Sequence, residues 1–493
     1  MGIIEKQATK NAIYSYLGAG LGFLTVMWSS RLLTPDENGL TRMLVSIAML
    51  FSQFGGLGFN TITVRFFPYF RNKDKGHHGY LFYGIITTLL GFCICYLCFL
   101  LFKGHIISNN QEKSKLFVEY LFYLMPLTLF TLFFNLFDYY LRACYSSVIG
   151  SFSKDLIQRI LIISSLLLYF LKAIDFSTFV FLYVVATCIP TLILFLYIVK
   201  LDEWHVKPVR GFVSKELRKE MINLSLFSIL SGGTGVLISN IDIIMVNQQL
   251  GLKETGIYGI AFYFGTIITI PSRALLRIAI SVVAEAFKKN DLKEIESLYK
   301  KSCNSQLTIG LLLFIGIFIN IDNIMALLPA EYADGKNVIL LVSLGYLVDM
   351  GTGINSIIML TSKYYKYDGY FMFFILFVTI LANYLLIPVF GIAGSALATA
   401  ITISMYNTMR WVFIYVKYGM QPYDFKILKI IAVSLIAFLP GYFIPKIPYL
   451  ILDIAVRSGI TTGVFVLLLL KAEAAPEINA KIRKNLKRFS INI

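Results

Sequence analysis

Fourteen apolar stretches, each close to the roughly 20 residues needed to cross a hydrocarbon core, succeed one another along this 493-residue chain. They lie near 12–33, 40–62, 80–102, 117–141, 155–172, 176–199, 221–247, 255–275, 303–328, 335–360, 369–388, 391–417, 425–445 and 449–471. Inside hydrocarbon the backbone N–H and C=O groups find no water, so such stretches must satisfy them internally as helices. The composition agrees. Apolar residues make up 57% and charged residues 15%, against about 45–50% and about 25% in a soluble domain. An ordinary water-soluble enzyme is excluded, and the expected fold is an all-α polytopic membrane protein with 14 transmembrane helices. The first stretch is too long for a signal peptide and no small-residue cleavage site follows it, so it reads as the first span.

The connections leave little room for chemistry outside the membrane. The longest polar segments are 63–79, 200–220 and 276–302, and the outer connections near 103–116 and 329–336 carry no paired acid and base. A polysaccharide polymerase or ligase, which would need such a set, is therefore the weaker reading, and the chain reads as a non-enzyme. The six cysteines do not form a disulfide framework, and no histidine stands near them in sequence to complete a metal site. The expectation is no cofactor and no metal.

Charge gives the orientation. There are 44 Lys+Arg against 28 Asp+Glu, a formal +16. In a soluble protein this would suggest nucleic acid; here the cations alternate between connections. With the N-terminus inside, about thirty of the 44 fall on the cytoplasmic side. The excess is a topology signal, with both termini cytoplasmic and no nucleic-acid partner. Segments 65–79 and 276–301 read as amphipathic surface helices, the second offering Ile278, Val282, Phe287, Leu292, Ile295 and Leu298 to membrane lipids.

An internal repeat divides the chain. LLTPDENGL (Leu32–Leu40) precedes the second span and LGLKETGIY (Leu250–Tyr258) the eighth, aligning Glu37-Asn38-Gly39 with Glu254-Thr255-Gly256 at an offset of 217 residues. The expected organisation is an N-terminal lobe over 1–200 (spans 1–6), a basic cytoplasmic linker over 201–220 and a C-terminal lobe over 221–417 (spans 7–12). Spans 13–14 follow over 418–471, then a basic cytoplasmic tail over 472–493. Repeats of this kind rock about a central cavity in transporters. Gly232-Gly233-Thr234-Gly235 is the expected hinge in the seventh span.

Charges within spans are costly and usually face a cavity or a partner. Asp138 shares a face of the fourth span with Asn135 and Arg142, and Asp155 and Arg159 form an i,i+4 pair in the fifth. Asp242, beside Asn240 in the seventh, and Asp349 in the tenth have no basic neighbour in their own helices. These three are the ion-coupling candidates, for Na⁺ or a proton.

The segment Asn383–Ile401, NYLLIPVFGIAGSALATAI, resembles the Asn-x-x-x-Ile-Pro-x-x-Gly-x-x-Gly-x-Ala-x-Ala-Thr pattern of the polysaccharide-flippase (Wzx-type) branch of the multidrug/oligosaccharidyl-lipid/polysaccharide (MOP) exporter superfamily. Asn383, Pro388, Gly391, Gly394, Ala396, Ala398 and Thr399 carry it. Asn240–Pro271, with Asp242, Gly256, Tyr258 and Ala261, is similar to the same family's seventh-to-eighth span block. Leu327–Tyr332 resembles its Leu-Phe-Gly-x-x-Tyr turn, with Pro329 in the glycine's place. Ile243 stands where the family often has Arg, and Ala284 where Pro is common.

The resemblance implies a MATE-like fold of two six-helix lobes plus two C-terminal helices. It also implies a flippase in the bacterial inner membrane that moves an undecaprenyl-pyrophosphate-linked oligosaccharide by alternating access, alongside a polysaccharide polymerase and chain-length proteins. A multidrug antiporter or a lipid II flippase is the alternative within the superfamily. Guanidinium groups bind pyrophosphate oxygens bidentately, so Arg31, Arg159 and Arg410, with Asp138, are the substrate-binding candidates. Tyr14, Tyr16, Tyr139, Tyr140 and Tyr263 can stack on sugars.

The cation distribution is checked by reporter fusions. A phosphatase active only outside the cytoplasm, fused at the C-terminus, should be inactive, whereas fusion at 103–116 should be active; the reverse pattern would invert the orientation.

Overall fold

A computed structural model describes residues 3–209 and 212–488, and contains helices but no strand among them. The chain forms two compact units, Met1–Gly259 and Ile260–Ile493. Unit one holds α1 (Ile3–Leu32), α2 (Pro35–Gly55), α3 (Phe59–Phe70), α4 (Tyr80–Asn110), α5 (Lys115–Glu119), α6 (Leu124–Ala143), α7 (Val148–Ser151), α8 (Gln158–Phe170), α9 (Phe176–Lys200), α10 (Lys215–Gln249) and the first half of α11 (Leu252–Thr266). Unit two holds the rest of α11, then α12 (Ile270–Lys288), α13 (Leu292–Ile319), α14 (Ile321–Leu327), α15 (Gly335–Gly351), α16 (Asn355–Thr361), α17 (Tyr365–Phe390), α18 (Ile392–Tyr418), α19 (Phe425–Phe443), α20 (Leu450–Ala472) and α21 (Pro476–Arg488). Unit one extends past the 201–220 connection because α10 packs along α2 and α3.

Each of the fourteen apolar stretches falls on a helix or a pair of helices. By length and apolarity, eight helices among the described residues can cross a membrane. The count rises to ten if α2 with α3, bent by 45°, and α15 with α16, bent by 56°, are each one span. The shortfall from fourteen has physical causes. The α8 helix is only 13 residues long, while α10 and α18 interrupt their apolar runs with Asn240, Asp242 and Asn247 and with Thr402, Asn407 and Arg410. All six are buried within the protein. Elsewhere the apolar residues face outward, as do Leu97, Leu101 and Phe102 on α4 and Phe373, Phe377 and Leu381 on α17. The protein is a multi-pass membrane protein.

The repeat has a structural counterpart in unit one. The α2 helix starts with a capping box: the Thr34 N–H donates to Glu37 Oε2 at 2.8 Å and the Glu37 N–H to Thr34 Oγ1 at 3.3 Å. One turn on, Gly39 lies against the Leu252 carbonyl, and Gly256 lies against the Pro35 carbonyl. Leu252 is Pro35 shifted by the repeat offset of 217, and Gly256 is Gly39 shifted by the same amount. The two helix starts therefore cross reciprocally, each glycine admitting the backbone of the other copy. The side chains of Asn38 and Thr255, also equivalent, donate to the carbonyls of Thr34 and Gly251 at 3.3 and 2.7 Å.

Two expectations are corrected. The glycine run 232–235 does not break its helix, since α10 is continuous from Lys215 to Gln249. Instead Gly232 and Gly233 admit the side chains of Gln53 and Phe54 from α2. The breaks fall at Gly56–Gly58 and Thr352–Ile354, where Gly58 (φ 69°) and Gly353 (φ 63°) adopt the left-handed conformation. The apolar faces of 65–79 and 276–301 are also turned largely into the protein, with Leu292 left exposed. Phe66, Phe67 and Phe70 sit in a core with Tyr80 and Tyr140. Ile295 is fully buried, with Phe287 and Leu298 packed on the same core as Ile354, Ile358 and Met359. The Ile278 side chain lies outside the described residues.

In unit two the Asn383–Ile401 motif is a helical hairpin. Gly391 (φ 59°) makes the turn, Gly394 packs on the Leu386 carbonyl, and Ser395 Oγ donates to Asn383 Oδ1 at 2.7 Å. Across from it, Gly345 of α15 meets the Ala400 backbone of α18, so small residues set the approach of these helices.

Replacing Gly39 or Gly256 by Ala drives a methyl group into a backbone carbonyl. The expected cost is about 1–3 kcal/mol, read as a lower midpoint in thermal unfolding of detergent-solubilised protein. Gly104→Ala, with open space around it, should not lower the midpoint.

Candidate functional site

The charged residues expected within spans fall into distinct arrangements. In unit one Asp138 is 6% exposed, and its Oδ2 accepts an ion-pair hydrogen bond from Arg142 at 2.7 Å. Gly150 of α7 presses on the same carboxylate. Sequence spacing had placed Asp138 and Arg142 on one face, and they pair there. The i,i+4 spacing of Asp155 and Arg159 does not produce a pair between them among the described residues. A π-helical turn over Phe152–Ile157 widens the helix ahead of Arg159 and changes its phase. Arg159 is half-buried and Arg31 exposed in the last turn of α1.

The π turn also presents Lys154, one of the charges the sequence places within a span. Lys154 Nζ lies 4.9 Å from the Phe134 ring centre. It borders a cavity of about 50 Å³ together with Thr131, Gln158, Thr187 and Pro190. Gln158 Nε2 donates to Thr187 Oγ1 at 3.4 Å. This cavity is apolar on most sides, with one cation and a few hydroxyl and amide groups, and has room for a few water molecules. Further along unit one, Asp242 is buried and its Oδ2 accepts the Tyr258 hydroxyl at 3.1 Å. Asn240 donates back along its own helix to Val236 O at 2.9 Å.

Unit two contains a connected polar network at the break between α15 and α16. Asp349, in the last turn of α15, accepts from Asn407 Nδ2 at 2.9 Å. Asn407 Oδ1 in turn accepts from Thr352 Oγ1 at 3.1 Å and Asn355 Nδ2 at 2.9 Å. One turn further along α18, Arg410 donates to both oxygens of Asp368, Nε to Oδ1 at 2.7 Å and NH2 to Oδ2 at 3.0 Å, and to Tyr406 Oη at 2.7 Å. Asp368, Asn407, Thr352 and Asn355 were not among the sequence candidates. The only signal for them was polarity inside apolar stretches, and their pairing runs between residues 38–58 apart.

The buried Asp138 and Asp453 and the half-buried Asp368 thus pair with Arg142, Arg457 and Arg410, each at 2.7 Å. Asp349, in the last turn before a helix break, is different, because its hydrogen-bond donor is the neutral amide of Asn407. Broken helices offer free carbonyls and helix ends, the elements from which membrane proteins build cation sites. Of the aromatic candidates, Tyr140 is a core residue donating to Glu203 O at 3.1 Å, Tyr14 stacks edge-on to Phe152, and Tyr139 lies under Arg142. Tyr263 is half-buried, and the Tyr16 side chain lies outside the described residues.

The fold also joins groups that the sequence keeps apart. No histidine stands near a cysteine along the chain, yet His77, Cys144 and Glu203 converge in unit one with their ligand atoms within 4.8 Å of one another.

Comparison with known proteins adds the lineage. No curated protein matches the chain in sequence. Among solved structures, the lipid II flippase MurJ in an inward closed conformation superposes with a TM-score of 0.75 over 93% of this chain and 97% of MurJ, at 14% identity. An inward-facing multidrug resistance MATE family transporter of the MOP superfamily gives 0.66 over 82% of this chain and 94% of its own, also at 14% identity. A MOP superfamily transporter from Pyrococcus furiosus gives 0.56 over 85% and 96%, at 12% identity. At such identities these likenesses establish the fold, which is that of MurJ and the MATE transporters. The family model described as polysaccharide biosynthesis protein matches residues 6–284, more than half of the chain, and the chain belongs to that family.

Proposed function

We propose that the protein is a flippase that carries an undecaprenyl-pyrophosphate-linked oligosaccharide, an O-antigen, capsule or exopolysaccharide repeat unit, across the bacterial inner membrane by alternating access. One observation carries this reading: a chain of the polysaccharide biosynthesis family has a fold shared over 93% of its length with a lipid II flippase. A cell that assembles lipid-linked repeat units on the inner face of its membrane must pass them outward to build a surface polysaccharide. The lobes for this movement are the expected 1–200 and 221–417, with 201–220 as linker, and both termini cytoplasmic.

Arg31, Arg159 and Arg410 are the proposed grips for the pyrophosphate, and Lys154, at the unit-one cavity, joins them. Arg410 is already engaged by Asp368, so it takes part only if that pair opens. Asp138, paired with Arg142, supports the cationic side of the same unit. For coupling to a Na⁺ or H⁺ gradient, Asp349 is preferred to Asp242 and Asn240, since it lies at a helix break and its donor Asn407 is shared with Thr352 and Asn355. A polysaccharide polymerase and chain-length proteins are the proposed partners. An ion-coupled multidrug antiporter is the second reading, favoured by the likeness to a MATE transporter.

A strain lacking the protein should accumulate lipid-linked repeat units on the cytoplasmic face and lose surface polysaccharide; normal surface polysaccharide would refute the flippase reading. In the complemented strain, Asp349→Asn should lower export by about tenfold or more, equivalent to ~1.4 kcal/mol of lost coupling. Lipid-linked units counted in each leaflet report the loss. Unchanged export would remove Asp349 from the coupling path.

A further inference from the structure

We propose that His77, Cys144 and Glu203 form a zinc site that ties together three connections of unit one. His77 lies in the turn Gly76–Gly79 before α4, Cys144 caps the end of α6, and Glu203 follows α9. The residues come from separate connections, with His77 and Glu203 126 positions apart, yet the imidazole, thiol and carboxylate atoms lie within 4.8 Å of one another. His77 and Glu203 are buried and Cys144 is half-buried. The cation distribution assigns all three connections to the cytoplasmic side, where a thiol stays reduced.

The surroundings fit a formed site. The ring centres of Phe67 and Tyr140 lie 5.1 and 6.3 Å from the His77 ring centre. The Tyr140 hydroxyl holds the Glu203 carbonyl at 3.1 Å. The backbone makes an unusual effort to bring the ligands here. His77 itself (φ 50°), Tyr145 just after Cys144 (φ 62°) and Asp202 just before Glu203 (φ 58°) all adopt the left-handed conformation without being glycine. Such conformations persist where the surrounding structure has a use for them.

The donor set selects the metal. Thiolate, imidazole and carboxylate together are zinc ligands, while Mg²⁺ and Ca²⁺ prefer oxygen alone. Three protein ligands would leave a fourth position for water. Without metal, the Asn72 N–H donates to His77 Nδ1 at 3.1 Å, and the opposite ring nitrogen, Nε2, donates its proton to Glu203 Oε2 at 2.7 Å. Zn²⁺ takes the place of that proton. The imidazole stays neutral by carrying its proton at Nδ1, giving up the Asn72 bond, and Cys144 releases its thiol proton to solvent. One proton leaves per ion bound, and the thiolate and carboxylate balance the two positive charges. Lys73, 3.7 Å from Glu203 Oε1 and 65% exposed, is free to turn into water.

The test uses the full chain purified in detergent, incubated with Zn²⁺, desalted and analysed for metal by mass spectrometry. About one zinc per chain is expected, falling to background in Cys144→Ser and in Glu203→Gln. Cys188→Ser, buried elsewhere, should keep its metal. Variants are compared only where they elute as the parent does on size exclusion. With Co²⁺ as the probe, a thiolate-to-cobalt charge-transfer band should appear in the parent and vanish in Cys144→Ser. A parent that retains no metal, a Cys144→Ser variant that retains it undiminished, or a cobalt spectrum without the thiolate band would each overturn the site.

Discussion

The constraint on which this structure rests is that backbone carbonyls within hydrocarbon must find a donor inside the protein. In an unbroken helix the next turn supplies it. Where a helix ends or bends, a side chain from another element does so. At the break after α2, Ser225 Oγ donates to Leu57 O at 2.6 Å; at the break after α15, Cys303 Sγ donates to Gly351 O at 2.8 Å. At the end of α19, Arg457 donates to Gly441 O and Ile444 O while Asp453 holds the same guanidinium. The polar residues inside apolar stretches are thus largely the means by which the chain departs from straight helices.

This explains why arginine–carboxylate pairs are abundant inside an apolar protein without being sites of chemistry. Breaking such a pair leaves a buried charge, so the pairs Asp138–Arg142, Asp368–Arg410 and Asp453–Arg457 fix geometry. A group whose charge must change during a transport cycle is better placed where its donor is neutral. The arrangement around Asp349, with Asn407 shared among Thr352 and Asn355, has that character.

Much of the fold was legible in the sequence, because its signals are local. Apolar runs gave the helices, and the Asn383–Ile401 pattern gave the hairpin with Gly391 at its turn. The repeat at Gly39 and Gly256 was visible as an alignment, whereas the crossing of the two helix starts emerges only in the fold. What could not be read is non-local. The partner of Arg410 is Asp368, 42 residues away, in a segment with no feature to mark it. Nothing in the sequence marks the π turn at Phe152–Ile157, and with it Asp155 and Arg159 do not pair with each other as regular helix geometry suggests. The glycine run at 232–235 looked like a hinge because glycine weakens isolated helices; within the fold its small size admits α2 instead.

The reciprocal crossing of Gly39 and Gly256 has an evolutionary consequence. If the two halves descend from one duplicated segment, most positions were free to diverge once the copies were joined. These two were not, because the space that each glycine leaves is filled by the main chain of the other copy. A side chain gained at either position meets a carbonyl that no substitution can remove.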